Sequence, residues 1–453
     1  MTDFGKLAGE LDGTLFLPGD PGYAGECFTF HLLQPLTPDA AVGAASVADV
    51  QAAVRFAGAN DLAVAVRGGG HLQTHSAAGA LLITLDRMNG VTIDARRRTA
   101  RITGAARWQE VIDAAAGAGL APLSGSATTV SAIGYVLGGG QGPILSRRYG
   151  YASDHVTSFD IVTADGRART VDAAHEPDLF AALRGGKGNF GVVTGMEIGL
   201  FPAATVVGGG IYFPGAATER LLPAWRDWAA TLPEQATTSF AVQWLPPFEV
   251  LPPMLRGAHV VHLRYAYDGP AGIGTALLEP MRAVAPALLD TVAEVPYPVA
   301  AVLHNDPTEP APVLHRSLGL AELADETLAE LIRHAGPDLL SVEVRALGGA
   351  LDRPPATPDS VPSRGLPYQL TAFALATPDD LARQAGNLAA LIGALRPWAD
   401  RRQMVNFLAP DEATDPAQLR VVYGPELYDR LLAVKRRYDP TSMFRMNHSI
   451  RPV

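Results

Sequence analysis

Val64-Ala65-Val66-Arg67-Gly68-Gly69-Gly70-His71 is a short β-branched run that ends in three consecutive glycines and a histidine. The run reads as a buried strand. Glycines directly behind it let backbone N–H groups converge on an anion, because no Cβ blocks a left-handed turn or the close approach of a phosphate. Alone, the motif serves equally well as a tight turn carrying a solvated histidine. Upstream, Val47, Val50, Ala53, Val54 and Ala57 recur at three- and four-residue steps, so the spacing predicts a helix over 44–59. Downstream come a strand at 81–85, a hairpin of 91–94 with 99–103 around a basic turn, and helical spacing over 108–116. Such a mixture of βα units and hairpins implies an α+β architecture more than a doubly wound sheet.

Glycine punctuation then recurs at Gly125, at Gly138-Gly139-Gly140, at Gly142 and through Gly185-Gly186-Lys187-Gly188-Asn189-Phe190-Gly191. Ordinary turns do not account for that density. The segment from Ser124 to Gly142 adds the hydroxyls of Ser126, Thr128, Thr129 and Ser131, a donor set suited to the ribityl chain and pyrophosphate of a dinucleotide. It lacks the Gly-x-Gly-x-x-Gly spacing of a nicotinamide-binding unit, so a different dinucleotide fold is required. After Phe201-Pro202 the pattern changes. Alternating runs at 208–213, 239–244, 259–267, 341–345 and 368–373, separated by helical stretches, predict an antiparallel sheet covered by helices on one face. The chain divides on this reading into a first domain over 1–203, a second over 204–407 and a return to the first over 408–453.

The 453 residues carry a formal charge of −10, which argues against a nucleic-acid partner. Hydrophobic residues make up 48% and charged residues 18%, the composition of a packed globule. Cys27 is the only cysteine, so no intramolecular disulfide forms. No basic leader with an apolar run opens the sequence and no stretch is apolar enough to cross a membrane, so the expected location is the cytoplasm.

Four ordered motifs carry a resemblance. Arg67-Gly-Gly-Gly-His71; Gly138-Gly139-Gly140 with Arg148-Tyr-Gly150 and Asp154-His155-Val156; Leu183-Arg-Gly-Gly-Lys-Gly-Asn-Phe-Gly-Val-Val-Thr194; and Tyr438-Asp-Pro-Thr-Ser-Met-Phe-Arg-Met-Asn-His-Ser-Ile450 span nearly the whole chain. Together they resemble the bacterial berberine bridge enzyme-like oxidases of the vanillyl-alcohol oxidase and p-cresol methylhydroxylase flavoprotein family. The resemblance implies a p-cresol methylhydroxylase-type FAD-binding domain beside a substrate domain. It implies FAD joined to His71 through a ring nitrogen, a small-molecule substrate, and dioxygen as oxidant. Cofactor contacts are implied for Arg67, Gly68, Gly69, Gly70, Leu72 and Gln73 in the first loop. Gly125, Ser126, Thr129, Gly134, Gly138, Gly139 and Gly140 follow in the second. Asn189, Gly191, Val192 and Val193 match the strand near the adenine, and Asn447 and His448 match a C-terminal return to the flavin. No metal is expected, since His71 and His75 lack a third ligand.

Departures from the family pattern are equally informative. Ala127 stands where many relatives carry a second flavin tether, a cysteine, and Cys27 lies outside that loop, so attachment through His71 alone is expected. Gln141 and Phe407 occupy positions where relatives often place tyrosines, one of them a general base, and neither accepts a proton at neutral pH. Candidate replacements are Glu343 and Arg345, which alternation puts on one sheet face as base and orienting group or as a structural ion pair. His304, in a loop that also reads as a capped turn, and Tyr135, Tyr423, His262 and Tyr265, which read more readily as packing, are further candidates. The expected activity is hydride transfer from a secondary-metabolite-like substrate to the flavin, with dioxygen reduced to hydrogen peroxide. The alternative is a flavin-dependent dehydrogenase, cyclase or isomerase without efficient use of dioxygen.

Overall fold

The computed structural model describes residues 2–72 and 75–452. Near the N-terminus, strands Ala40–Gly43, Ala80–Thr84 and Ala63–Arg67 pair in parallel, with Thr14–Phe16 added antiparallel at one edge. The parallel strands are buried on both faces, which explains why they read as apolar runs without alternation. Helix Val47–Ala59 covers them and opens with a capping box in which Ser46 and Asp49 satisfy each other's backbone N–H groups. An antiparallel sheet follows in the order Gly90–Asp94, Thr99–Thr103, Val192–Gly199, Val156–Val162, Ala168–Val171.

The largest sheet is antiparallel throughout. Its central strands lie in the order Thr205–Pro214, His259–Tyr267, Ala236–Trp244, Ser341–Ala346, Tyr368–Leu375, Val313–Leu320. Ile211, Leu263, Phe240, Val344, Leu370 and Leu318 point to one face, where helices Thr218–Ala229, Ala271–Arg282, Asp325–His334 and Leu381–Leu395 bury them. The alternate positions form two rows on the opposite face. One row runs Arg264, Ser239, Arg345, Gln369 and the next His262, Ala241, Glu343, Thr371, Ser317. The sheet is therefore covered by helices on one face, as expected, but its polar face is also buried. That is why Val313-Leu-His-Arg-Ser-Leu-Gly-Leu320 does not read as a strand: His315 and Ser317 are polar and yet face inward.

The C-terminal segment returns to the first sheets. Helix Pro425–Tyr438 presents Lys435, whose buried Nζ donates to Asp439 (2.6 Å), to the carbonyl of Asn189 (2.7 Å) and to that of Phe444 (3.0 Å). Asp439 in turn accepts from the backbone N–H groups of Met443 and Phe444, and the Met443 carbonyl accepts from Val64 N. One buried ion pair thus ties the last motif to the strand that leads into Arg67–His71.

Asn406 spans the junction between the glycine loops and the second half of the chain. Its Nδ2 donates to the Tyr135 carbonyl at 2.8 Å and its Oδ1 accepts from Lys187 Nζ at 2.7 Å. A Cβ on Gly138 would lie 2.0 Å from that Oδ1. Gly138→Ala is expected to cost about 1–3 kcal/mol by overpacking, and Asn406→Ala in the same chain should recover part of the loss. Urea unfolding of the single and double variants measures both effects, and additive losses would contradict the contact.

Candidate functional site

The loop Arg67–His71 is held from beneath. Arg67 is buried, donates from Nε to the Glu26 carbonyl at 2.9 Å and forms an ion pair with Asp86. Gly70 takes a left-handed φ of +72°, and its carbonyl accepts from Phe30 N at 2.8 Å. This brings the Phe30 ring onto His71, stacked at 4.1 Å between centroids and 17° between planes. His71 Nε2 lies 3.0 Å from Thr129 Oγ1. Burial, with smaller contributions from His31 and Arg107, lowers the His71 pKa to about 4, so the imidazole is neutral at neutral pH. Phe30 carries no sequence signal for this role, because it meets His71 only through chain packing.

The second loop is shaped around Tyr135. A Cβ on Gly125 would lie 2.9 Å from its ring, and one on Gly140, at φ +78°, would lie 2.5 Å from it. Gly134 faces open space, with nothing within 4 Å of a Cβ. Three buried polar atoms without a hydrogen-bond partner, Tyr135 Oη, Asn447 Oδ1 and Ser449 Oγ, fit an FAD here. Gln73 lies outside the described residues. The Asn189 side chain is engaged within the chain. Its Nδ2 donates to the carbonyls of Gly186 (2.9 Å) and His448 (3.2 Å), and its Oδ1 accepts from Ile450 N (3.0 Å), so this amide positions the C-terminal segment. Val192 and Val193 bury their side chains in the core and leave only backbone to a ligand. His448 Nε2 lies 3.1 Å from the Ala409 carbonyl.

On the polar sheet face Glu343 is enclosed by cations and donors. Arg264 NH1 is 2.8 Å, His304 Nε2 3.2 Å and Ser239 Oγ 2.8 Å from its Oε1, while Arg345 NH2 is 3.1 Å from its Oε2. Burial alone would raise this carboxyl, but Arg345, Arg264 and His304 hold it well below the usual carboxylate range. These partners occupy both carboxylate oxygens, the ion-pair alternative expected for Glu343 and Arg345. Arg345 continues toward the glycine loops, donating from NH1 to Gln141 Oε1 at 3.3 Å and from NH2 to Ser126 Oγ at 3.4 Å, and stands 5.2 Å over the Phe407 ring.

Other candidates separate cleanly. Tyr423 donates to the Gly185 carbonyl at 3.0 Å inside the core, and Tyr265 donates to the Gly274 carbonyl at 2.9 Å, the packing alternative for both. Tyr135 is fully enclosed and burial raises its hydroxyl pKa, which leaves it neutral and unfit as a base. His262 stacks on Tyr212 at 3.9 Å, and burial followed by Arg264 lowers its pKa far below that of a free imidazole. His304 is also kept neutral by burial. Asp306, two residues on, is half-buried and acts electrostatically on both His71 and Arg345. Arg264 was legible in principle, since alternation from His262 puts it on the same face.

A family model described as "FAD binding domain" matches residues 38–172, and one described as "Berberine and berberine like" matches residues 405–451. The chain is an FAD-linked oxidoreductase whose C-terminal segment is berberine-like. This oxidoreductase is 28% identical to (R)-6-hydroxynicotine oxidase of Paenarthrobacter nicotinovorans, covering 99% of each chain. It is 27% identical to the FAD-linked oxidoreductase YgaK of Bacillus subtilis, over 98% of each. Among solved structures, 6-hydroxy-D-nicotine oxidase from Arthrobacter nicotinovorans superposes with a TM-score of 0.82 at 26% identity, covering 98% of each chain. BBE-like 1 of Physcomitrella patens shares the fold, with a TM-score of 0.87 at 20% identity over the full length of both. Among the described residues of the oxidoreductase no helix is long and apolar enough to cross a membrane.

Two measurements follow from this geometry. Tyr423→Phe should lose only one neutral hydrogen bond, about 1 kcal/mol of stability, with the flavin content of the purified protein unchanged; a colourless product would restore Tyr423 to the site. His315 and His448, like His71, are lowered to about 4, chiefly by burial. Between roughly pH 6.5 and 4 the unfolded chain binds more protons at these groups than the folded one, so stability falls as pH falls through that window. The urea midpoint should drop accordingly, and His315→Gln should flatten the dependence.

Proposed function

We propose that this oxidoreductase is an oxidase of a small, secondary-metabolite-like substrate, with FAD attached covalently through His71 alone. The observation that carries the reading is the state of His71. Neutral, stacked on Phe30 and directed to Thr129, its ring is held in one orientation at the end of the triple-glycine loop. In the tautomer that donates Nε2–H to Thr129 Oγ1, the lone pair resides on Nδ1, the nitrogen that would then join the flavin 8α-methyl. Ala127 offers no second nucleophile, and burial raises the thiol pKa of Cys27, which makes it a poor one.

When bound, FAD supplies the hydride acceptor and the centre at which dioxygen is reduced to hydrogen peroxide. Arg67–His71, the 125–140 loop and Asn447 would hold it. The polar sheet face, led by Arg345, orients the substrate against it, and the packed Tyr135 and Phe407 rings exclude water. Gln141 and Phe407 supply no base, and Glu343 is too strongly stabilised to serve as one. This favours a substrate whose proton is acidic or passes to water. The same observation supports the second reading, a dehydrogenase, cyclase or isomerase that uses dioxygen poorly.

Acid precipitation of the purified enzyme should leave a yellow pellet. His71→Ala should move the flavin to the supernatant, and Thr129→Val should lower the attached fraction without abolishing binding. A colourless wild-type pellet would sink the covalent assignment. Mixing the reduced enzyme with air-saturated buffer should return the oxidised spectrum and release peroxide; very slow reoxidation would leave the second reading instead.

A further inference from the structure

We propose that Arg345 and Arg264 form an anion subsite on the polar sheet face, which takes a carboxylate or equally acidic oxyanion of the substrate. The inference rests on the reading of this face as the substrate side of a flavin site. Strand register brings the two arginines together, since Ser239 is the common cross-strand partner of Arg264 and Arg345. Both side chains are almost wholly buried, with relative exposures of 5% and 6% for the residues.

Charge is out of balance there. Two guanidiniums meet the single carboxylate of Glu343, while burial keeps His262 and His304 neutral. Asp306 makes no ion pair with either arginine among the described residues. One positive charge is therefore met only from a distance, by Asp306, in a region shielded from water where a poorly compensated ion is costly. An anionic ligand supplies the missing charge.

Unused donors point the same way. Arg264 Nε and Arg345 Nε have no hydrogen-bond partner, and on the same face His262, Ser317, Gln369 and Thr371 each keep an unpartnered polar atom. Arg264, Arg345, His304, Ser239 and Gln141 line a cavity of about 10 Å³, roughly the space one water or one carboxylate oxygen takes. Arg345 also reaches Ser126 and Gln141 on the glycine loops, so an anion on its fork sits beside the expected flavin position. A neutral polyol would leave the charge unmatched, and a substrate ammonium would be repelled.

The test titrates the flavin-loaded enzyme with benzoate and acetate, and with their neutral counterparts benzamide and acetamide, following the flavin absorption band and the melting temperature. Each carboxylate should bind at least about tenfold more tightly than its amide and raise the melting temperature where the amide does not. Arg345→Gln and Arg264→Gln should each bring the two to within about threefold, whereas Arg345→Lys should keep part of the preference. Equal binding of acid and amide by the wild-type enzyme, or no binding of either carboxylate, overturns the subsite. So does an Arg345→Gln enzyme with an altered flavin potential and an intact carboxylate preference, because the cation then serves the flavin. If Arg345→Gln does not fold, the wild-type comparison and Arg264→Gln still decide. Failure of the flavin reading shows separately, as protein without flavin, and the melting-temperature arm continues to report on the anion.

Discussion

Backbone-to-side-chain contact at Gly138 sets the relation between the two halves of this protein. Asn406 occupies the volume that any larger residue at 138 would need, while its amide bridges the Tyr135 carbonyl and the Lys187 ammonium. Three elements far apart in the chain are thereby brought within one side chain of each other. Lys187 takes a left-handed φ of +61°, unusual for a residue with a Cβ, and burial pulls its ammonium down to about 8. Glycine excess at the loops follows from this: the loops approach the rest of the chain so closely that side chains have no room.

The second organising feature is a sheet with two buried faces of opposite character. Its helix-covered face is a conventional apolar core. Its other face is buried against the glycine loops and carries Glu343, Arg264, Arg345 and two neutral histidines. Hydrogen bonds and ion pairs satisfy only part of this set, and each donor left without a partner costs free energy. The arginines that position Glu343 also hold its carboxyl ionised.

Much of this was legible before any coordinate. The helix expected over 44–59 forms at Val47–Ala59 and the hairpin at Gly90–Asp94 with Thr99–Thr103, because capping residues and period-two or period-3.6 patterns are local. The helix over Trp108–Ala116 likewise keeps the predicted limits. Patterning misled at Val313–Leu320, where inward-facing polar residues mimic a loop, and the partner of the Tyr423 hydroxyl, the Gly185 carbonyl, has no local signal.

From its sequence alone this chain determined the ordered glycine motifs, the absence of a cysteine at Ala127 and of tyrosines at 141 and 407, and the common face of Glu343 and Arg345. These are properties of residue identity and of side-chain period, which short stretches carry by themselves. Tertiary structure alone decided that Phe30 stacks on His71, that Arg264 joins Arg345 around one carboxylate, and that Ser239 binds that carboxylate from 104 residues away. Such meetings depend on which strand lies beside which. That choice is made by the burial of whole faces, and no local window of sequence contains it.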